Sequence, residues 1–259
     1  MRRNLYLKGA LMNFYACIIG TELLNGRRKD SHFDFLNTEL LTRGHELKAS
    51  FVIKDEPDFI ADVFELIKKD EKSVMFCFGG IGSTPDDYTR DTAARVFSDG
   101  YMEYNDDICK VLTDRFGDAA YPDRIKMGYL PRGAGLLANK INNISGFYLD
   151  ERFFFVPGFT EMDNPKIVKS RDRFYPKGEI KYKKTFTVFG SEGELVDIMQ
   201  TLPPSVEFSS LPILDGEKRV VEIYLASFSS CITEDCFEHF VVHTEKRGLR
   251  WREGGYYDK

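Results

Sequence analysis

The sequence predicts an α/β protein in which a mostly parallel sheet carries helices on both faces, followed by a smaller α+β domain. Two observations predict this. In the first half, apolar runs without polar alternation are separated by helical patterns, as in parallel sheets that are buried on both faces. After a basic segment, the remaining chain follows a β-α-β-β-α-β order, which is the split, ferredoxin-like arrangement.

The composition narrows the function classes. With 42% hydrophobic and 30% charged residues among 259, the chain resembles a globular protein with a sizeable core, not a disordered or fibrous one. The net charge of −5 argues against a nucleic-acid partner. No apolar run reaches the roughly 18 residues that a membrane span requires, so we expect no membrane segment.

Three apolar runs in the first half are predicted as buried strands, namely Phe14–Ile19, Leu47–Ile53 and Ser73–Phe78. Between them, Phe33–Leu41 and Asp58–Lys68 have the spacing of amphipathic helices. The second of these helices is expected to bury one face, made of Phe59, Val63, Phe64 and Ile67.

Parallel sheets of this kind bind ligands beyond the carboxyl ends of their strands. The loops Gly20–Ser31 and Gly79–Asp91 follow the first and third predicted strands. The sequence therefore predicts that the functional site lies where these two loops meet.

A cluster of lysines and arginines with Pro165, Pro176 and Gly178 marks the predicted domain boundary. We expect an amino-terminal extension over residues 1–12, a first domain over 13–165, a basic linker over 166–182 and a small α+β domain over 183–259. The elements predicted for the last domain are strands Lys183–Phe189, Val206–Leu211, Arg219–Ser227 and Leu249–Arg252, with helices Glu192–Leu202 and Thr233–Thr244.

The Gly79–Asp91 segment reads Gly-Gly-Ile-Gly-Ser-Thr-Pro-Asp-Asp-Tyr-Thr-Arg-Asp. Its glycines allow the backbone N–H groups to approach a phosphate closely. Pro85 is expected to open a helix with Asp86 and Asp87 in its first turn. Carboxylates repel phosphate because both are negatively charged. A divalent cation held by the carboxylates would offset this repulsion and bind the phosphate oxygens. The alternative is that the two aspartates only cap the helix. No lysine follows as in a P-loop.

The Gly20–Gly26 loop is followed by Arg27, Arg28 and Lys29, which could neutralise phosphate charge. Asp30 could supply a further carboxylate or cap the next helix. A solvated basic turn with a Ser or Asp cap is the open alternative. A third segment, Val156–Met162, is a strand end followed by a Pro-Gly turn and Glu161.

Taken together, these segments resemble the molybdopterin-binding superfamily, specifically the amino-terminal domain of the competence/damage-inducible protein A (CinA) family. The matching blocks are Gly-Thr-Glu-Leu-Leu-x-Gly at Gly20–Gly26, Gly-Gly-x-Gly-x-Thr-x-Asp-Asp-x-Thr-Arg at Gly79–Arg90, and the Pro-Gly and Glu-Met pairs of Pro157–Met162. The resemblance implies a three-layer fold of molybdopterin-binding type over residues 13–165. The family's Asn-Thr-Asn-like stretch is replaced here by Asp30-Ser31-His32.

The resemblance also implies a function. Members of this domain type are associated with metal-dependent cleavage of nucleotide pyrophosphates such as ADP-ribose, and relatives with FAD hydrolysis or molybdopterin adenylylation. We therefore expect a divalent-metal-dependent hydrolase of nucleotide pyrophosphates. The alternative is a non-catalytic protein that binds or senses a nucleotide or a molybdopterin, in which case it would bind without releasing AMP.

The expected partner is a phosphate-bearing small molecule, and the expected cofactor is Mg, Mn or Co. Metal binding and catalysis are assigned to Asp86 and Asp87, with Asp30 as a catalytic helper. The residues expected to bind substrate are Gly20, Thr21, Glu22, Gly79, Gly80, Gly82, Thr84, Arg90, Pro157, Gly158 and Glu161.

Five scattered cysteines without an export signal indicate reduced thiols and a cytoplasmic location, and a homo-oligomer is possible. Cys236, His239 and His243 have i, i+3, i+7 spacing that suits one helix face, with Cys231 nearby. The spacing is not that of a standard zinc finger, so we expect a core helix without zinc.

Overall fold

A computed structural model describes residues 12–137, 146–158, 175–216 and 218–257. Residues 1–11 of the expected extension over 1–12, most of the expected linker, and Glu161 lie outside the described residues. The chain divides into two compact units, Met1–Gly178 and Glu179–Lys259. Within the described ranges, no helix is long and apolar enough to cross a membrane.

The first unit is built on a six-stranded sheet. Its strands are β1 (Asn13–Ile19), β2 (Leu47–Ile53), β3 (Ser73–Phe78), β6 (Gly135–Leu137), β7 (Gly146–Leu149) and β8 (Phe153–Val156), while β4 (Met102–Tyr104) and β5 (Tyr129–Pro131) form a separate pair. The helices are α1 (Thr21–Leu24), α2 (His32–Leu41), α3 (Pro57–Lys68), α4 (Thr89–Phe97) and α5 (Asp106–Phe116), with 3-10 turns at Gly117–Ala120 and Arg124–Gly128.

The sheet order is β2-β1-β3-β8-β7-β6, and the first four strands run parallel. Helices α3, α4 and α5 cover one face, with Phe64, Phe97 and Phe155 in the core beneath them. Helix α2 covers the other face, where Leu36 and Phe76 are buried. The predicted mostly parallel, three-layer α/β fold is confirmed.

The outer strand β2 differs from the fully buried strand that the sequence predicts. Its residues alternate between half-buried and exposed positions up to Ile53, and Val52 is exposed. The reason is topological, because β2 pairs only with β1 and forms the edge of the sheet. The predicted apolar face of α3 also needs a correction, since Phe59 is 51% exposed and Ile60 takes its place in the core.

The second unit contains β9 (Tyr182–Phe189), β10 (Glu207–Asp215), β11 (Lys218–Ser227) and β12 (Arg250–Glu253), with α6 (Val196–Met199) and α7 (Ser230–Lys246). The strands form an antiparallel sheet in the order β10-β11-β9-β12. This order is the ferredoxin-like arrangement that the element sequence predicts. The predicted helix over Glu192–Leu202 is shorter, because a 3-10 turn with a Ser191–Glu194 capping box precedes α6.

The last residues of the expected basic linker pack on the first unit. Tyr175 is buried in the same core cluster as Phe14 and Phe154. The Gly178 N–H donates to the carbonyl of Arg43 over 2.8 Å. The first unit therefore extends to Gly178, beyond the boundary at residue 165 that the sequence predicts.

Candidate functional site

A cleft of about 340 Å³ lies at the carboxyl edge of the sheet, where β1, β3 and β8 end. It is the place that the topology of a parallel sheet favours for a ligand. The lining residues are Ile19, Gly20, Glu22, Arg28, Asp55, Gly79, Gly80, Ile81, Gly82, Ser83, Thr84, Asp86, Asp87, Met127, Pro157 and Gly158.

The glycine pair that ends β3 allows the chain to turn sharply against its neighbours. Gly79 and Gly80 have φ angles of 95° and 66°, which L side chains rarely adopt. A Cβ on Gly79 would lie 2.2 Å from the carbonyl oxygen of Ile19, and one on Gly80 would lie 2.1 Å from Oγ1 of Thr89. These two positions therefore require glycine, and the loop can lie directly on β1 and α4.

The loop after the glycines is closed by the Asp87 carboxylate. Its Oδ1 accepts the N–H of Gly82 over 2.8 Å, and its Oδ2 accepts the N–H of Thr84 over 2.7 Å and the Thr84 hydroxyl over 2.5 Å. A carboxylate has about four lone-pair sites, so one on Oδ1 remains for a ligand. The Asp87 side chain therefore acts first as the clamp that shapes the loop.

The helix that the sequence places at Pro85 begins later. Pro85 and Asp86 form a turn, and α4 starts at Thr89, whose N–H donates to the carbonyl of Gly80. The expectation that both aspartates lie in a first helical turn is wrong. The Asp87 carboxylate instead accepts hydrogen bonds from the N–H groups of Gly82 and Thr84 in the preceding loop. A helix that began at Pro85 would not allow these hydrogen bonds.

Asp86 is exposed at the rim of the cleft. The Thr84 side chain and the backbone lower the pKa of its carboxyl below the ordinary value, outweighing the effect of burial. The Asp86 carboxylate is therefore ionised at neutral pH and accessible to a cation.

Backbone donors line the same cleft. Among the described residues, none accepts a hydrogen bond from the N–H groups of Gly80, Ile81 or Ser83. Unpaired N–H groups in a glycine loop beside a strand end are suited to bind phosphate oxygens. The cleft thus combines anion-binding donors with a carboxylate at its rim.

The loop after β1 forms the opposite wall. Thr21 donates its N–H and its hydroxyl to Oδ2 of Asp55, over 2.7 and 2.9 Å. Arg28 donates to the carbonyl of Gly158 over 2.8 Å and lies 3.6 Å from Oε1 of Glu22. The Arg28 guanidinium therefore joins the first loop to the turn after β8, and it is the cationic side chain among the residues that line the cleft.

Asp30, expected as a catalytic helper, does not line the cleft. Its carboxylate accepts the N–H groups of His32 and Phe33 and lies 2.8 Å from Nδ1 of His32. Burial raises the pKa of the Asp30 carboxyl, but these hydrogen bonds outweigh that effect and lower it overall. Asp30 therefore caps α2, and its catalytic role has no support from its position.

Arg90 also departs from expectation. Its guanidinium is buried beneath the loop, where it donates to the carbonyl of Ile81. Burial lowers its pKa, while the charges of Asp87 and Asp91 oppose that shift. Arg90 lines a neighbouring cavity instead of the cleft.

The structure brings most predicted site residues together. Those that line the cleft are Gly20, Glu22, Gly79, Gly80, Gly82, Thr84, Asp86, Asp87, Pro157 and Gly158. Thr21 supports the wall through Asp55, which the sequence reasoning missed along with Ser83 and Met127. Asp55 follows β2, so the rule that parallel strands share a carboxyl edge could have identified it.

The donor set suits a hard divalent cation. Glu22, Asp55, Asp86 and Asp87 supply only oxygen atoms to the cleft. Within the described ranges, no group of three or more His, Cys, Asp or Glu side chains is arranged to hold a metal ion. Mg²⁺ is commonly bound through one or two carboxylates together with substrate phosphates, and this cleft fits that mode.

Known proteins share this architecture. A CinA-like protein of Rippkaea orientalis is 30% identical over 169 residues, which cover 64% of this chain and 39% of that protein. A protein of Caldivirga maquilingensis is 27% identical over 233 residues, covering 85% of this chain and 89% of the relative. The crystal structure of CinA from Thermoplasma acidophilum, described as having unknown function, aligns with a TM-score of 0.57 at 21% identity, over 63% of this chain and 99% of its own.

The chain spans 39%, 51% and 40% of the lengths of three of the relatives that it matches. The likeness to CinA of T. acidophilum shows the fold alone. The family described as "Probable molybdopterin binding domain" matches residues 16–163, which is more than half of the chain and includes the loops of the cleft that follow β1, β3 and β8. On this match the chain belongs to the molybdopterin-binding domain family.

Proposed function

We propose that the protein is a divalent-metal-dependent hydrolase of nucleotide pyrophosphates, such as ADP-ribose or FAD-like molecules. The observation that supports this proposal is that one cleft holds both the exposed Asp86 carboxylate and loop N–H groups that donate to no described residue. Donors of this kind favour phosphate, whereas a carboxylate beside phosphate is unfavourable unless a cation lies between them.

Hydrolysis of a phosphoanhydride adds water to one phosphorus atom and releases two phosphate monoesters. Negative charge spreads over the phosphate oxygens as the bridging bond breaks. The N–H groups of Gly80, Ile81 and Ser83 would stabilise that charge, and the hydrogen bonds of Asp87 to Gly82 and Thr84 hold the loop in place for them. Arg28, fixed by Gly158 and Glu22, adds a positive charge on the opposite wall.

Asp86 would hold the metal, with the remaining Oδ1 lone pair of Asp87 as a second ligand. When bound, such an ion neutralises phosphate charge and lowers the pKa of a coordinated water. The protein's own residues would place the phosphates against the loop, and the exposed Asp86, whose carboxyl pKa is lowered, would be ionised at neutral pH.

The test is a turnover assay on the purified protein with ADP-ribose, FAD and coenzyme A, each with and without Mg²⁺, Mn²⁺ or Co²⁺. We expect nucleotide monophosphate to be released from at least one substrate, only when metal is present, and EDTA to abolish the release. Absence of release from every substrate under all metal conditions would refute the hydrolase.

A second candidate is a protein that binds a nucleotide or pterin without turnover. It is favoured by the engagement of Asp87, whose carboxylate accepts three hydrogen bonds from its own loop. In that case calorimetry would show binding of the same compounds, with no product on prolonged incubation with metal. The two candidates therefore differ in product formation and not in affinity.

A further inference from the structure

The first residues of α4 hold three successive carbonyl groups of the loop after β3. The Thr89 hydroxyl donates to the Gly79 carbonyl over 3.0 Å, and the Thr89 N–H donates to the Gly80 carbonyl over 3.0 Å. The Arg90 guanidinium donates to the next carbonyl along the chain, that of Ile81. Thr89 is fully buried and Arg90 is 7% exposed, so these donors are shielded from water. The start of α4 therefore fixes the direction of the three carbonyl groups.

The direction of each of these carbonyls also fixes the direction of the N–H group that follows it. The peptide bonds of residues 79–82 are trans, and in a trans peptide the C=O and N–H bonds point in opposite directions. Since the three carbonyls point to α4, the N–H groups of Gly80, Ile81 and Gly82 point away from it. All three residues line the cleft. The start of α4 thus accounts for the presence of N–H donors on the cleft side of the loop.

The peptide that joins Ile81 to Gly82 lies between opposite charges. Its carbonyl accepts from the Arg90 guanidinium, and its N–H donates to Oδ1 of Asp87 over 2.8 Å. A cation at the C=O and a carboxylate at the N–H polarise the peptide in the same direction, which strengthens both hydrogen bonds. The reversed peptide would place its carbonyl against the Asp87 carboxylate and its N–H against the guanidinium. The two charges therefore hold this peptide in one orientation.

Arg90 acts on the cleft only through this peptide. Among the described residues its guanidinium donates to a single acceptor, the Ile81 carbonyl. Arg90 does not line the cleft, so it makes no contact with a ligand that is bound there. A buried cation is costly unless it forms hydrogen bonds, and the one that Arg90 forms is to the loop.

We propose that Arg90 is a positioning residue for the phosphate site, because its bond to the Ile81 carbonyl keeps the loop N–H groups directed at the cleft. Thr89 supports the same arrangement through the carbonyls of Gly79 and Gly80. This rests on the proposed function, from which the nucleotide phosphate is taken as the ligand. Without the guanidinium the Ile81–Gly82 peptide is free to rotate, and phosphate then loses donors that Arg90 itself never supplies.

The first measurement is the calorimetric affinity of the full-length protein for α,β-methylene ADP with Mg²⁺. Arg90→Met removes the hydrogen-bond donors at similar side-chain length, whereas Arg90→Lys retains a donor and the positive charge. Arg95→Met, at an exposed position of the same helix, is the matched control. We expect Arg90→Met to weaken binding at least tenfold and Arg90→Lys less than threefold. Arg95→Met should bind the nucleotide as the unaltered protein does.

The second measurement is amide hydrogen exchange, followed by NMR in the protein without ligand. The Gly82 N–H is protected by its bond to Asp87, so its exchange reports the orientation of the peptide. In Arg90→Met, exchange at Gly82 should accelerate at least tenfold more than exchange at Phe76, which lies in the centre of β3. Arg90→Lys should keep the exchange rate of the unaltered protein at both amides. Equal acceleration at Gly82 and Phe76 would indicate a general loss of stability and would overturn the inference.

Unchanged nucleotide affinity in Arg90→Met, or equal weakening in Arg90→Met and Arg90→Lys, would also overturn it. If Arg90→Met does not fold, Thr89→Val takes its place, since it removes the hydroxyl that bonds to the Gly79 carbonyl, whereas Thr89→Ser retains that hydroxyl. Thr89→Val should weaken binding at least threefold more than Thr89→Ser, and equal affinity of these two variants would overturn the inference.

Turnover separates this inference from the proposed function. Nucleotide binding that depends on Arg90, without any metal-dependent product from the unaltered protein, would refute the hydrolase and leave this inference standing. Metal-dependent product from the unaltered protein, with unchanged nucleotide affinity in Arg90→Met, would do the reverse.

Discussion

Asp86 and Asp87 are neighbours in sequence but have different environments. Asp87 accepts two backbone N–H groups and a hydroxyl from its own loop, whereas Asp86 is exposed at the rim of the cleft. From the sequence, the two aspartates are predicted as equivalent metal ligands, because nothing in it indicates which carboxylate bonds to the loop. The structure distinguishes Asp87, which closes the loop, from Asp86, whose carboxylate is exposed.

This separation predicts different outcomes for the two amide substitutions. Asp86→Asn should abolish metal-dependent turnover and leave the unfolding free energy within about 0.5 kcal/mol, as for other surface positions. Asp87→Asn should abolish metal-dependent turnover as well. It should in addition lower the free energy of unfolding by about 1–3 kcal/mol, because an amide NH₂ would face N–H donors. Urea unfolding and a turnover assay measure both effects. Equal stability of the two variants would contradict the clamp.

Gly79 allows a comparison of clash and backbone strain. Both Gly79 and Gly100 have φ near +90°, at 95° and 84°, but a Cβ on Gly100 would meet nothing within 4 Å. Gly100→Ala should therefore cost only the left-handed strain, about 1–2 kcal/mol. Gly79→Ala should cost a further 1–3 kcal/mol or so, because its Cβ would overlap the Ile19 carbonyl. Equal losses of unfolding free energy in the two variants, measured by urea unfolding, would contradict the close approach of Gly79 to the Ile19 carbonyl.

The Asp70 carboxylate joins the amino ends of β1 and β2, at the edge of the sheet opposite the cleft. Oδ2 of Asp70 accepts from Asn13 and Tyr15 of β1 and from Lys48 of β2, over 2.7 to 2.9 Å. Burial raises the pKa of the Asp70 carboxyl, but the hydrogen bonds outweigh it and hold the pKa well below its ordinary value. Asp70 therefore stabilises the junction of β1, β2 and the turn after α3.

The lowered pKa of the Asp70 carboxyl determines how the free energy of unfolding changes with pH. An ionised carboxyl with a depressed folded pKa stabilises the fold fully above its unfolded pKa of about 3.9, and the effect is lost as pH falls toward the folded value. Asp70→Ala should cost about 1–3 kcal/mol at pH 7 and progressively less below pH 4. Asp114→Ala, at an exposed pair with Lys110, is the control and should cost less than about 0.5 kcal/mol. A pH-independent loss in Asp70→Ala would contradict this account.

The elements with strong periodicity could be predicted from the sequence. The strands β1 and β3 are continuous apolar runs between turns, and the structure places them in the centre of the sheet. The errors occur where tertiary contacts decide. The Pro85 helix does not form because Asp87 bonds backward to Gly82, a contact with no periodic signature. Phe59 is exposed since the orientation of α3, set by packing, buries Ile60.

The location of the site can be predicted from the sequence to the extent that the order of the parallel strands defines it. Three loops of the cleft follow β1, β3 and β8, so their meeting follows from the parallel order of those strands. For Asp30 the sequence leaves two roles open, a further carboxylate at the site or a helix cap, and the contacts with His32 and Phe33 favour the cap. Arg90 lines the neighbouring cavity and not the cleft, which could not be predicted because the sequence does not reveal on which side of the loop a side chain lies.

The second unit is predicted to contribute packing and no catalytic group. In α7, Cys236 is buried, whereas Cys231 and His239 are exposed, and within the described part of the chain these side chains form no group arranged to hold a metal ion. The double substitution Cys236→Ala with His239→Ala should leave turnover unchanged and cost about 1–3 kcal/mol, as for an ordinary core truncation. Cys231→Ala is the control, with no expected effect. Stoichiometric zinc by elemental analysis, lost in the double variant, would contradict this prediction.

We propose that the loop over residues 79–84 and Asp86 form one site in which phosphate and metal bind together. Electron paramagnetic resonance of Mn²⁺ tests it most directly, with and without α,β-methylene ADP, whose bridge resists hydrolysis. We predict tight Mn²⁺ binding only with the nucleotide, weakened about tenfold or more in Asp86→Asn, a change of about 1.4 kcal/mol. Asp62→Asn, on the exposed face of α3, should behave as the unaltered protein. Mn²⁺ affinity that is the same without nucleotide, or unchanged in Asp86→Asn, would contradict the account.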